Sequence, residues 1–207
     1  MRKFASSIMA VCLVLLMAVP AFAGTTELVS VSSTGEQGDR MSRTPSISAD
    51  GRFVAFESWS TNLVASDING QTDIFIHDRI TDAMEIVSIS NTGEHGNGQS
   101  REPSISADSR FVAFGSNSSN LSPGISGTQI YVHDRELGTT IAVSVNEAGN
   151  QGNGSSRRPS ISGDGRLIAF ESRSNNLVQN DTNKKSDVFV FDMADGSLRG
   201  VSVDSKG

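Results

Sequence analysis

Two acidic loops contain residues that could do chemistry. The segment 67–73 reads DINGQTD, and the segment 181–187 reads DTNKKSD. Each loop carries oxygen-bearing side chains at relative positions one, three and seven, a spacing that lets a tight loop wrap a hard cation such as Ca²⁺. The sequence therefore predicts two calcium sites, with the ligands Asp67, Asn69 and Asp73 in one, and Asp181, Asn183 and Asp187 in the other.

The competing interpretation of these loops is structural. Asp and Asn side chains ordinarily cap turns by bonding to the nearby backbone. The corresponding loop 122–129 reads SPGISGTQ and has no carboxylate, so the fold does not require such a site. Lys184 and Lys185 would repel a cation, and neither loop has the bidentate Glu of an EF-hand.

Three arginines form a second candidate site. Arg43, Arg101 and Arg157 each lie two residues before a Pro-Ser-Ile-Ser segment. At the mouth of a channel they would form a basic collar for the carboxylates of a peptide or a small anion. The alternative is a structural ion pair with an acidic residue of a neighbouring unit. Trp59 is either an exposed contact for a partner or part of the loop packing.

Other polar residues recur at equivalent positions and therefore predict turn chemistry rather than catalysis, because an active site is normally built once. His77 and His133 are equivalent to Phe191, and His95 lies among Gly and Asn, where we expect it to be solvated. No Gly-x-Ser-x-Gly elbow or phosphate-binding Gly-Lys-Ser/Thr loop is present. We therefore expect no enzyme activity. The recurring aspartates are Asp50, Asp108, Asp164, Asp78, Asp134 and Asp192.

A repeated hairpin must position all these residues. Pro45 to Ser58 reads PSISADGRFVAFES and returns as PSISADSRFVAFGS from Pro103 and as PSISGDGRLIAFES from Pro159, at spacings of 58 and 56 residues. In each copy two short apolar segments meet at an Asp-Gly or Asp-Ser step, which is typical of a tight β-hairpin.

Each repeat predicts four strands, named A to D. Strand B is nearly continuous in apolar residues, as expected of a strand covered on both faces. Proline is tolerated at the first residue of strand A, where it need not donate to the ladder. The predicted A, B, C and D strands are 45–48, 52–58, 73–78 and 85–90 in the first unit, 103–106, 110–116, 129–134 and 141–145 in the second, and 159–162, 166–172, 187–192 and 198–203 in the third.

A repeat of this length without helical periodicity is typical of a propeller blade. We expect an all-β fold: a β-propeller of three four-stranded blades in an incomplete, open arc, plus one extra N-terminal strand at Glu27–Val31. Repeats run over about 27–84, 85–140 and 141–197, and another unit starts at 198–207. Either the chain is part of a longer propeller, or two copies close a six-blade ring. Open apolar blade faces favour association in both cases.

The repeat resembles the TolB-type, WD-repeat-like β-propeller family, on the pattern Pro-Ser-x-Ser-x-Asp-Gly-Arg-x-Val-Ala-Phe-x-Ser followed by a strand such as Asp187–Asp192. The resemblance covers nearly all of the chain after the leader. It implies the propeller fold and an exported protein, but not TolB itself, because TolB's propeller follows an α/β domain that is not found here.

The N-terminus predicts export. Residues 1–23 combine Arg2 and Lys3 with an apolar run and the tripeptide Ala21-Phe22-Ala23, the order of a secretory signal peptide. The repeat domain would then span 24–207, periplasmic or extracellular, with no membrane insertion after cleavage. The formal net charge of −6 argues against a nucleic-acid partner.

These observations favour an exported, non-catalytic binding module for a protein or peptide partner. Two alternatives stay open at this point. One is a propeller component of a lyase or hydrolase of envelope polymers, and the other is a structural surface repeat stiffened by calcium. We expect no cofactor other than Ca²⁺.

Overall fold

The computed structural model describes residues 26–179 and 181–202, which form three four-stranded antiparallel sheets. Each sheet is one blade, and its strands pair in chain order. The described residues contain no helix, so none that could cross a bilayer. The predicted signal peptide at 1–23 and the residues after Ser202 lie outside this part of the chain. The strands are β1 Ser42–Ile47, β2 Phe53–Ser58, β3 Asp73–Asp78 and β4 Ala83–Ile86 in blade 1, β5 Ser100–Ile105, β6 Phe111–Ser116, β7 Gln129–Asp134 and β8 Thr139–Ala142 in blade 2, and β9 Ser156–Ile161, β10 Leu167–Ser172, β11 Asp187–Asp192 and β12 Leu198–Gly200 in blade 3.

The predicted strands exist, and the C strands have the predicted bounds. The A strands begin three residues earlier than expected, because pairing with strand B continues past a bulge before the proline. The D strands of blades 1 and 2 begin two residues earlier than predicted and end at Ile86 and Ala142. Beyond Ile86 the chain turns back on itself, where Gly93 takes a φ of +80° and its N–H donates to the carbonyl of Ser90.

The extra N-terminal strand predicted at Glu27–Val31 is not formed. Only Val31 has a ladder partner there, in an isolated bridge to Gln37. The segment nevertheless lies where a D strand would approach blade 1, because Glu27 pairs with Arg79 as Glu85 pairs with Arg135 in the next blade. Among the described residues no C strand lies beside it to complete a ladder, so the segment packs as a loop.

The recurring Asp residues fix the hairpins, as predicted. In the first A–B turn, Ser48 donates from Oγ to Asp50 Oδ1 at 2.6 Å, and the N–H of Arg52 donates to the same oxygen. Gly51 sits at a φ of +72°, in the left-handed region that favours glycine. Arg52 then forms a bidentate pair with Asp78, at 2.9 and 2.6 Å, which joins the start of strand B to the end of strand C.

The core lies between blades. Strand B and strand C side chains of blade 1, including Ile74 and Ile76, pack on Phe114 and Tyr131 of blade 2, and all four are at most 1% exposed. A second cluster joins blade 2 to blade 3. This confirms the predicted inter-blade core.

The outward face of blade 3 is uncovered. Val188 there is 38% exposed, whereas its equivalents Ile74 and Ile130, which face a following blade, are fully buried. The three blades therefore form an open arc. Association through this face stays a prediction.

The A strands lie side by side along the inner edge of the arc. The N–H of Ile105 donates to Ser46 Oγ of the preceding blade at 3.1 Å, and the N–H of Ile161 donates to Ser104 Oγ at 3.1 Å. In blades 1 and 2 the first serine of the Pro-Ser-Ile-Ser segment thus links one inner strand to the next. This arrangement carries the three predicted arginines along one inner wall.

Candidate ligand-binding surface

A bulge in each inner strand positions the arginines. Pairing of strand A with strand B shifts register just after the arginine, at residues that take positive φ although they are not glycine. Their φ values are +49° at Thr44, +57° at Glu102 and +53° at Arg158. Such conformations cost roughly 1–3 kcal/mol each and persist only where the surroundings hold them.

Carboxylates hold the bulge from the neighbouring blade. The N–H of Glu102 donates to Glu57 Oε2 of blade 1 at 2.8 Å. The N–H of Arg158 donates to Glu102 Oε2 of blade 2 at 2.8 Å. Both bulges thus receive a carboxylate from the blade before, but from strand B in one case and from strand A in the other.

The three arginines are exposed and, in the described part of the chain, form no ion pair with a carboxylate. The structural alternative, an ion pair with a neighbouring unit, is therefore not what the structure shows. Arg43 and Arg101 instead contact Trp59, with guanidinium carbons 5.2 and 5.6 Å from its ring centroid. Both distances are within the range of a cation–π interaction.

A groove of about 220 Å³ opens next to this cluster, between the inner strands of blades 2 and 3. Arg101 and Arg157 both line it, together with Glu102, Gly115 and Asn117. The structure thus brings Arg43 and Arg101 together at Trp59, and Arg101 and Arg157 together at the groove. We refer to the three arginines, Trp59 and this groove as the arginine surface.

The groove exists because blade 2 differs from its neighbours. Strand register places Arg43 opposite Glu57 and Arg157 opposite Glu171, whereas Arg101 lies opposite Gly115. Two positions later, just after strand B ends, Asn117 takes the place of Trp59 in blade 1 and of Arg173 in blade 3. The signal for this groove in the sequence is a pair of side chains lost from one repeat, whereas the sequence-based expectations concerned residues gained by one repeat.

The acidic loop of blade 1 is closed by its own hydrogen bonds. Asn69 donates from Nδ2 to Asp73 Oδ2 at 2.7 Å and to the carbonyl of Gly96 at 3.0 Å, and Ser88 Oγ donates to Asp73 Oδ1 at 2.6 Å. Asp73 is fully buried, and this desolvation raises the pKa of its carboxyl to about 6. Burial also raises the pKa of Asp67, whose Oδ1 has no hydrogen-bond partner.

In blade 2 the equivalent hydrogen bonds are made without a carboxylate. Gln129 occupies the position of Asp73, accepts from Ser144 Oγ at 2.6 Å, and donates from Nε2 to the carbonyl of Gly152 at 3.0 Å. One amide therefore makes the contacts that Asp73 and Asn69 make jointly in blade 1. In blade 3, Asn183 donates to Asp187 at 3.2 Å.

These contacts agree with the capping interpretation of both loops. No group of three or more His, Cys, Asp or Glu side chains suited to a metal ion occurs in residues 26–179 and 181–202. Calcium binding at Asp67, Asn69 and Asp73, or at Asp181, Asn183 and Asp187, stays a prediction.

The histidines lie in different surroundings from those expected. His95 was expected to be solvated, but its Nδ1 is buried without a partner in the described residues, and its ring lies near Asp67 and Asp73. No local pattern indicates this, because His95, Asp67 and Asp73 meet only when two loops pack together. Burial lowers the pKa of His133 to about 4, and its Nδ1 lies 2.9 Å from Thr140 Oγ1.

Comparisons with known proteins bear on the fold. No family model matches the chain, and no curated protein matches it. Among solved structures, TolB from Acinetobacter baumannii is similar over 80% of this chain and 33% of its own length, with 18% identity and a TM-score of 0.50. A protein assigned as TolB from Agrobacterium tumefaciens is similar over 77% of this chain and 48% of its own length, with 18% identity and a TM-score of 0.51. The chain thus spans half or less of the length of these proteins.

Proposed function

We propose that this chain, whose blades have the β-propeller fold found in TolB structures, is an exported, non-catalytic binding module. Its arginine surface would bind acidic segments of a protein or peptide partner. The observation that carries the proposal is that three arginines recur on one inner wall, exposed and unengaged by carboxylates in the described residues. Export is inferred from the leader sequence at 1–23.

The chemistry of this surface suits recognition. Guanidinium groups bind carboxylates through paired N–H donors, and Arg and Trp are enriched among residues that dominate binding energy at interfaces. Stacking against Trp59 holds Arg43 and Arg101 in place before a ligand arrives, which reduces the entropy lost on binding. The formal net charge of −6 makes this basic surface a local exception and disfavours nucleic acid.

The absence of catalysis is part of the proposal. Asp50 and Asp78 are engaged by turn and strand contacts that recur in every blade, which leaves them no separate task. An enzyme of envelope polymers would need a set of acid and base residues in one blade only. A turnover assay on polygalacturonate and peptidoglycan should show no activity.

Trp59 gives a direct test because it is the only tryptophan in the chain. The octapeptide acetyl-(Gly-Glu)₄-amide should change its fluorescence, and the Gln counterpart should not. If each exposed arginine contributes about 0.5 kcal/mol, the R43Q/R101Q/R157Q variant should bind about tenfold more weakly. Its melting temperature should stay close to that of the parent protein. Equal affinity for both peptides, or a collapsed fold in the variant, would contradict the proposal.

A further inference from the structure

Gly115 has no conformational reason to be glycine. Its φ lies outside the left-handed region, and a Cβ added there would meet nothing closer than 3.8 Å, from the carbonyl of Arg101 and from Ile130. The equivalent residues Glu57 and Glu171 show that a longer side chain fits the same strand position. The absence of a side chain in blade 2 therefore creates space rather than relieving strain.

Blade 2 has no glutamate at the position of Glu57, and another residue accepts the hydrogen bond that this glutamate would accept. In blade 1, Glu57 is only 4% exposed and accepts from the bulge N–H of the next blade. In blade 2 the corresponding N–H, that of Arg158, is taken by Glu102. Losing the Glu at position 115 thus leaves no buried donor unsatisfied at this bulge. What remains is an open volume lined by Arg101 and Arg157, with Glu102 at its wall engaged by the N–H of Arg158.

We infer that the groove of blade 2 is a carboxylate pocket, in which an acidic side chain of a bound peptide enters the space left by Gly115 and pairs with Arg101 and Arg157. Both arginines line this groove, and neither has a carboxylate within ion-pair distance in the described residues. The volume of about 220 Å³ exceeds what one carboxylate-bearing side chain needs. The inference rests on the proposed binding function and assigns its anchoring position.

Blade 1 shows what a filled groove looks like. There Glu57 supplies a buried carboxylate at the position of Gly115, and Trp59 occupies the position of Asn117 beside Arg43 and Arg101. The inferred ligand carboxylate would occupy in blade 2 the place that the Glu57 side chain occupies in blade 1. The groove can therefore be closed with residues that the protein already uses.

Two substitutions test the pocket. Gly115→Glu adds to the groove the carboxylate that Glu57 supplies in blade 1, and Asn117→Trp fills the groove with the corresponding residue of blade 1. The control Gly200→Ala adds one methyl group in strand β12, outside the groove, where a Cβ would meet nothing closer than 3.8 Å. Binding of acetyl-(Gly-Glu)₄-amide is measured by titration calorimetry, with thermal unfolding to verify that each variant folds.

We expect G115E and N117W to bind the peptide about tenfold or more weakly, and G200A to bind it within about twofold of the parent protein. Parent-like affinity in folded G115E and N117W would overturn the pocket while leaving the arginine surface intact. A parent protein that binds the Glu and Gln peptides alike would instead overturn the proposed function. If one groove-filling variant fails to fold, the other still decides the question.

Discussion

The buried carboxyl of Asp73 predicts a pH-dependent cost to stability, which the substitution Asp73→Gln should remove. Asp73 is fully buried and keeps its proton up to about pH 6, compared with an ordinary value of 3.8. Between these values the unfolded chain releases the proton and the folded chain retains it. Stability therefore falls as the pH rises through this window, and the full cost is present above about pH 6.

The magnitude follows from the size of the pKa shift. Each pKa unit corresponds to 1.36 kcal/mol, so a rise of about two units costs about 3 kcal/mol at neutral pH. Glutamine should fit, because Gln129 in blade 2 occupies the same position and bonds to Ser144 and Gly152. The equivalent partners, Ser88 and Gly96, are present in blade 1.

The assay is urea-induced unfolding of the parent protein and of D73Q at several pH values from 4 to 7. The difference in unfolding free energy should shift in favour of D73Q by up to about 3 kcal/mol between pH 4 and pH 7. Asp187→Gln is the matched control, and its effect should be smaller because Asp187 is only partly buried. A difference that is the same at pH 4 and pH 7 would refute the argument from burial.

Three further changes have expected outcomes. The double variant H133F/T140L in blade 2, which introduces the Phe191 and Leu198 pair of blade 3, should gain up to about 3 kcal/mol over the parent as the pH falls from 6.5 to 4. The reason is that His133 stays neutral in the fold while the unfolded chain is protonated, and unfolding at pH 4 and pH 7 measures the difference. Gly51 and Gly165 share a φ of +72°, but a Cβ at Gly165 would lie 2.3 Å from the Phe111 ring. In thermal unfolding, G165S should therefore lower the stability by about 1–3 kcal/mol more than G51S does. If the acidic loop of blade 1 binds Ca²⁺, calcium should raise the melting temperature at pH 7 in the parent and not in D73Q, and equal shifts would exclude this loop.

The fold could be predicted from the sequence because its determinants are local and repeated. The A–B hairpin depends on Ser48, Asp50 and Gly51, which lie within four residues of one another. The apolar run of strand B indicated burial on both faces, and the structure confirms it in blades 1 and 2. In blade 3, whose outward face is uncovered, alternate residues of strand B stay partly exposed. The prediction of an extra N-terminal strand was wrong for a non-local reason. A strand forms only beside a partner strand, and the segment 27–31 has no partner strand in the described residues.

The site could be predicted only in part. The three arginines were visible as a recurring residue on strand A, but their contact with Trp59 depends on how two blades pack. The hydrogen bond from the N–H of Glu102 to Glu57 spans 45 residues and has no local signature. The proximity of His95 to the buried aspartates likewise depends on two loops that are distant in sequence.

One usable signal was present in the sequence at Gly115. Repeats that share a blade structure should differ where a blade has a separate task, and a lost side chain is as informative as a gained one. Gln129 illustrates a neutral difference, because its amide makes the same contacts as the Asp73 and Asn69 pair. Gly115 is a different case, because Glu102 restores the hydrogen bond but nothing in the described residues refills the volume. A binding groove requires such a substitution: the hydrogen bond of the lost side chain is made by another residue, while the volume that the side chain filled stays open.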